Sequence, residues 1–341
     1  MTYKFYAIVT TYKRPKLLRR ALDSIVNQTY TNWYIVIATE DLSEDTWNVI
    51  RKYKQKYPQK VSAIKIPPHL RGQDRPRLLP IELLFRLSDD PSRDFVFFLD
   101  DDDFLCDRSA LKKAFLKIVG NQDYDMFAFP AVSEDGVLKY GFPKDCPIGL
   151  TLYLKTTKAD LFGVTRLSFL LRYWNLFKSL TLLSAPYSSE ELMVCLYKYW
   201  GEKNKKREIQ YYFNTSPILC RGLTDKSLTR FNKYDDKSLG RHLKRYQQLL
   251  RSCSKVYLEK YPCRFIYHSL AYARILAMLG YKSQSINIFR QALRYALRYR
   301  SCLASKLFPL LLGSLVIALF DEETLALSNT VLKISRKLRL V

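Results

Sequence analysis

Four consecutive carboxylates, Asp100-Asp101-Asp102-Asp103, follow the apolar run Phe95-Val96-Phe97-Phe98-Leu99. Four like charges in a row repel one another, and a bound divalent cation offsets that repulsion. Hard cations such as Mg²⁺ or Mn²⁺ take carboxylate oxygens together with substrate phosphates. An unbroken apolar run reads as a strand buried on both faces of a parallel sheet. The acids are then expected at its carboxyl end, where open α/β sheets bind ligands. The plainer alternative is a solvated acidic turn, since charge runs usually face water.

Other chemistry-bearing residues fall at similar places. Thr10-Thr11-Tyr12 offers hydroxyls and an aromatic face after a first apolar run. Asp41 offers a carboxylate after a second, able to accept hydrogen bonds from a ribose hydroxyl or a base N–H. No GxGxxG follows the first run and no GxxxxGK[ST] occurs, so the usual phosphate cradles are missing. Phosphates would have to be held by a metal and by basic side chains. Arg71, Arg75 and Arg77 lie together, and Arg is shaped for bidentate phosphate contacts. His69, His242 and His268 have no partner at metal spacing and read as structural or surface residues.

These residues need elements to position them. Strands are expected over Tyr6 to Thr10, Trp33 to Ala38, Val61 to Ile66 and Phe95 to Leu99. Between them, Leu17, Leu18, Ala21, Leu22 and Ile25 recur at helical spacing behind Pro15, a favoured helix start. Ser43 is placed to cap a second helix, and Leu78 to Leu87 reads as a third. Strand–helix alternation over the first ~105 residues predicts a doubly wound α/β layer with a parallel sheet. Beyond it, Asp125 to Ala131 reads as a further strand. Residues 240–341 read as helical, with Leu270 to Leu279, Gly280 and Ser285 to Tyr299 forming a helical hairpin capped by glycine.

The chain has 341 residues, 48% of them hydrophobic, enough for a packed core. Its net charge is +24, of which residues 241–341 carry +14, with 18 Lys and Arg against 4 Asp and Glu. Such a segment suits an anionic surface. Ile288 to Arg298 is amphipathic and basic, and Lys333 to Arg339 is a second basic cluster; a solvated bundle face is the alternative. Seven cysteines without a CxxC pair point to a reduced setting. No secretory leader is expected from the first residues, and Leu307 to Phe320 is shorter than the ~20 residues that span a bilayer.

Together these blocks resemble the family 2 glycosyltransferases of GT-A fold. Thr10-Thr11-Tyr12-Lys13-Arg14-Pro15 resembles that family's TxYNRP turn, and Ser24 to Trp33 its S(V/I)xxQTYxNxE segment. Glu40-Asp41-Leu42-Ser43-Glu44-Asp45-Thr46 resembles its DDGSxD block, and Phe98 to Asp103 its FLDxDD block. Gly72 and Arg77 match a GxxxxRN block in spacing alone. Clear resemblance covers about the first 110 residues. Departures are Glu40 for the first Asp of the second block, Lys13 for the Asn of the turn, and Pro76 and Leu78 around Arg77.

The resemblance implies a GT-A catalytic domain over residues 1–235. Within it, residues 1–105 would bind a nucleotide-sugar and 106–235 would form a mixed acceptor side. A basic helical region would cover 236–341. It implies inverting sugar transfer from a nucleotide-diphosphate donor, most often a UDP-sugar, to a hydroxyl of a glycan or lipid-linked acceptor. Bacterial surface polysaccharide assembly is the setting it suggests, in the cytoplasm or peripherally at the inner face of the plasma membrane. Thr10, Thr11, Tyr12, Asp41, Arg77, Asp100 and Asp101 would meet the donor, and Asp102 would hold Mn²⁺ or Mg²⁺. Glu191 would be the general base, and Glu190 and Arg221 would serve the acceptor or a closing segment. The pair Glu190-Glu191 departs from the family's usual Glu-Asp and is also what a helix start favours. A non-catalytic relative or a basic nucleic-acid-binding protein is the alternative, although nucleic acid is not an expected partner. Four aspartates ending a buried strand would repel its phosphates.

Overall fold

The computed structural model describes residues 2–67, 75–133, 145–149, 161–172, 174, 210–214 and 216–221, single positions between 240 and 258, and 262–299. The chain divides into two compact units, Met1–Pro186 with Lys203–Leu228, and Tyr187–Glu202 with Thr229–Val341.

The first unit is built on a mixed sheet. β1 (Lys4–Thr11), β2 (Trp33–Thr39), β3 (Val61–Lys65) and β4 (Asp94–Asp100) run parallel in the order β3-β2-β1-β4. The helices between them are α1 (Pro15–Val26), α2 (Glu44–Lys56) and α3 (Leu78–Leu87), the last preceded by a single 3₁₀ turn, Arg75–Arg77. β1 shows why the sequence folds this way. Alternate side chains of a strand point to opposite faces. Phe5, Ala7 and Val9 pack with Leu18, Ala21, Leu22 and Ile25 of α1 and with Val49, Ile50 and Tyr53 of α2. Tyr6 and Ile8 pack on the other face with Ile81 and Leu84 of α3. Both faces are covered, so the strand is apolar throughout.

Chain order reverses between β1 and β4. β2 and β3 extend one way from β1, whereas β4 lies on its other side, with Thr10 registered opposite Asp100. Crevices outside the carboxyl ends of strands at such a reversal are where open α/β sheets bind ligands.

Past β4 the sheet becomes mixed, as expected for residues 106–235. β5 (Asp103–Leu105), α4 (Ala110–Val119) and β6 (Met126–Ser133) follow, then β7 (Cys146–Gly149), β8 (Leu161–Arg166), α5 (Leu167–Arg172), β9 (Gln210–Phe213) and β10 (Leu219–Arg221). β8 enters antiparallel between β4 and β6, and β10 joins β6 to β5. The remaining pair, β7 with β9, extends the sheet from β6.

In the second unit, α6 (Pro262–Met278) and α7 (Lys282–Arg298) form the expected hairpin. Gly280 sits at φ 81°, a left-handed conformation that glycine adopts without strain. The Gly280 N–H donates to the Ala277 carbonyl at 3.0 Å and the Tyr281 N–H to the Leu276 carbonyl at 2.8 Å. This pair of bonds is a Schellman cap. Ile266, Leu270 and Ala273 pack against Phe289, Ala292 and Ala296. His268 is buried, with the rings of Tyr246, Tyr257 and Tyr267 around it.

No helix among the described residues is long and apolar enough to cross a membrane. Cys106, Cys146 and Cys220 are free thiols. Cys263, by contrast, is disulfide-bonded, with a partner outside the described residues, which departs from the expectation of uniformly reduced cysteines.

Candidate active site

The four carboxylates are separated by the end of β4 at Asp100 and the turn at residues 101 and 102 that follows it. The side chain of Asp100 is 45% exposed and that of Asp102 19%, against 6% for Asp101. Asp103 opens β5 and is buried. Two acids therefore face the crevice and two face the protein.

Asp100 is held from both sides. Its Oδ1 accepts from Thr10 Oγ1 at 2.8 Å and from Arg77 Nη2 at 3.1 Å. The Arg77 guanidinium lies 5.0 Å from the centroid of the Phe98 ring, a stacking that fixes its plane. Thr10, Asp100 and Arg77 thus meet at one point. The side chain of Arg75 and all of Arg71 lie outside the described residues.

Asp101 performs a different task. Its Oδ2 accepts from Thr11 Oγ1 at 2.8 Å and from the Tyr12 N–H at 3.4 Å, and its Oδ1 accepts from Arg14 Nη1 at 3.1 Å. Burial pushes its pKa up, opposed by the Thr11 hydroxyl and by Arg14 and reinforced by the charge of Asp102; the result is about 6. These bonds tie the turn after β1 to the end of β4. Lys13 in that turn has φ 54°, which reverses the chain so that Arg14 reaches back. Tyr12 is left half exposed at the rim.

Asp102 is held chiefly by its backbone. Arg20 of α1 donates to its carbonyl oxygen at 2.8 Å while stacking on Phe104. Its carboxylate Oδ2 takes one bond, from Arg14 Nη1 at 3.2 Å.

Asp41 lies after β2 in a nearly closed cage. Its Oδ1 accepts from the Ser43 N–H at 2.9 Å, and its Oδ2 from the Ser43 and Thr46 hydroxyls at 2.5 Å each. Burial raises its pKa, but these donors outweigh burial and the net shift is downward. Ser43 is the N-cap residue of α2, as expected, but its hydroxyl is turned to Asp41 and makes no capping hydrogen bond to the helix. Glu44 and Asp45 instead supply the first-turn charge and Lys54 and Lys56 the last-turn charge that favour the helix dipole. Asp41 is only 2% exposed, so a nucleoside would meet its neighbourhood rather than an open carboxylate.

Glu190 and Glu191 lie outside the described residues. Of Arg221 the backbone is described: it ends β10, registered between Asp103 of β5 and Ser133 of β6. The sequence reading missed Arg14 and Arg20 as part of the acidic cluster. Their i, i+6 spacing gave no sign that both would reach the segment after β4. A separate hollow of about 230 Å³, lined by Asp23, Asn27, Gln28, Leu105 and Arg108 among others, contains none of these groups.

The crevice combines phosphate-shaped cations and accessible carboxylates at a point of strand-order reversal. Residues 3–134 match the family described as "Glycosyltransferase like family 2". Residues 3–134 thus carry a domain like that of the family 2 glycosyltransferases. The structure of S. aureus TarS 1-349 in complex with UDP-GlcNAc is similar at 17% identity and a TM-score of 0.57, covering 92% of this chain and 88% of that one. The structure of S. aureus TarS is similar at 17% identity and a TM-score of 0.52, covering 92% of this chain and 53% of that one. At these identities the likeness is one of fold, and that fold is GT-A. No curated protein matches this chain by sequence.

Proposed function

We propose that this chain is a glycosyltransferase that moves a sugar, with inversion, from a nucleotide-diphosphate donor to a hydroxyl of a glycan or lipid-linked acceptor. Bacterial surface polysaccharide synthesis is the setting we assign it. The observation that carries the donor reading is the meeting of Thr10, Asp100 and Arg77 at the carboxyl ends of β1 and β4. A uridine donor is favoured by the likeness in fold to S. aureus TarS 1-349, which was solved in complex with UDP-GlcNAc.

Among the described residues no cluster of three or more His, Cys, Asp or Glu could hold a metal ion alone. The donor set nevertheless fits Mg²⁺ or Mn²⁺, which bind through one or two carboxylates and complete their shell with substrate phosphates and water. Asp102, with Asp100 beside it, would hold the ion. When bound, such an ion neutralises charge on the departing diphosphate.

The chain's own residues supply the rest. Arg77 is oriented by Asp100 and Phe98 to meet phosphate oxygens. Asp101 holds the Thr10–Tyr12 turn against β4, and Asp41 holds the start of α2 beside it. In the transfer, the acceptor oxygen forms a bond to the anomeric carbon from the face opposite the leaving group. The bond from that carbon to the diphosphate oxygen breaks with its electron pair on oxygen. The hydroxyl proton goes to the general base, which we assign to Glu191; Glu190 and Arg221 are assigned to the acceptor or a closing segment.

A labelled-donor assay with anomeric analysis of the product tests the reaction. Glu191→Gln is expected to lower turnover by about 10²-fold or more with donor binding unchanged, since a positioned base is worth that much. Unchanged turnover would remove Glu191 as base.

The same reading places the protein peripherally at the inner face of the plasma membrane. Arg290, Arg294 and Arg298 lie on the exposed side of α7, while its apolar side packs on α6. Attachment would therefore be electrostatic, through headgroups, rather than by insertion of the apolar face. The protein should co-sediment with phosphatidylglycerol-containing vesicles and release in high salt. Equal binding to phosphatidylcholine alone would contradict this mode.

A further inference from the structure

The acidic segment already contains a cation. Arg14 Nη1 lies 3.1 Å from Asp101 Oδ1 and 3.2 Å from Asp102 Oδ2, so one nitrogen bridges two adjacent carboxylates. The contact is sheltered: the Arg14 side chain is 19% exposed, as is that of Asp102. Its origin is local, since the left-handed Lys13 and the following Pro15 turn the chain at the head of α1. The backbone of Asp102 is fixed independently, by Arg20 on its carbonyl. Arg14 therefore acts on the Asp102 carboxylate itself.

We infer that Arg14 is a built-in counter-ion for Asp102 that competes with the divalent cation and couples cation binding to donor binding. The inference rests on the proposed reading of Asp102 as the metal-holding residue. A guanidinium beside a carboxylate oxygen opposes a second cation there, both by repulsion and by occupying a lone pair. A nucleoside diphosphate changes that balance. Its negative charges offset the excess positive charge, and they offer the guanidinium phosphate oxygens in place of Asp102 Oδ2. Cation and donor should then each strengthen the other's binding by the same factor, as linkage requires. Arg14 is a positioning residue in this scheme, acting through Asp102.

The test is Mn²⁺ binding, followed by the electron paramagnetic resonance of free Mn²⁺, with and without UDP. Wild-type protein should bind Mn²⁺ weakly alone and more tightly with UDP. Arg14→Met should raise Mn²⁺ affinity without nucleotide by about tenfold, the scale of one charge-assisted hydrogen bond. It should shrink the enhancement by UDP by a similar factor. The double variant R14M/D101N also removes the buried charge that Arg14 compensates. It should show the same loss of coupling while keeping the wild-type circular dichroism spectrum. Folded variants whose Mn²⁺ affinity and coupling match the wild type would overturn the inference. A wild-type protein that binds no Mn²⁺ even with UDP would overturn the metal reading beneath it, which is a different result.

Discussion

Asp102→Ala should abolish metal-dependent UDP binding while leaving the protein folded. The fold is spared because the anchor of this residue is its backbone carbonyl, held by Arg20, which alanine retains. The side chain contributes one bond, to Arg14, at a partly exposed position, and such a pair is worth no more than about 1 kcal/mol to stability. The ligand effect is much larger. Residues that merely support a metal ligand are worth about 10–100-fold in metal affinity, so losing the ligand itself should cost about 100-fold or more. Titration calorimetry with UDP, with and without Mn²⁺, reads this directly. Retained Mn²⁺-dependent binding in the variant would remove Asp102 from the site.

Asp101→Ala, one residue earlier, should do the reverse and act first on stability. The carboxylate is buried and accepts from Thr11, from the Tyr12 N–H and from Arg14. Alanine leaves the Thr11 hydroxyl without this acceptor and removes one of the two carboxylates that Arg14 bridges, leaving its bond to Asp102. Removing one member of a buried pair costs about 3–5 kcal/mol. The low end is expected here, because burial already holds the pKa of Asp101 up at about 6; its pairing offsets only part of the desolvation. Urea denaturation of the two variants side by side would show it. Equal stabilities for Asp101→Ala and Asp102→Ala would contradict the division of the acidic run into inward and outward members.

That division marks the limit of what the sequence conveys. The strands β1, β2 and β4 are legible because both of their faces are covered, so Phe5 to Val9 or Phe95 to Leu99 must be apolar without interruption. α1 is legible from Leu18, Ala21, Leu22 and Ile25, which share one buried face, and the α6–α7 hairpin from Gly280. The four aspartates are identical in sequence, and only the turn that follows β4 decides that Asp100 is exposed and Asp101 buried. Arg14 was likewise hidden. Its reach depends on one left-handed residue, Lys13, a conformation that lysine's side chain does not favour. The insertion of β8 between β4 and β6 is a long-range pairing with no local signal. Ser43 shows the converse: its position predicted a cap, but the neighbouring Asp41 offers its hydroxyl a stronger, charged acceptor.

The central claim is that the crevice at the ends of β1 and β4 binds a nucleoside diphosphate together with a divalent ion. Thermal melting of the purified protein with UDP, GDP, CDP and dTDP, each with and without Mn²⁺, tests it most directly. A ligand at ~100 times its dissociation constant stabilises by about 2.7 kcal/mol, which moves the melting temperature visibly. The account predicts a Mn²⁺-dependent rise with UDP. No shift with any of the four nucleotides, with or without Mn²⁺, would contradict it.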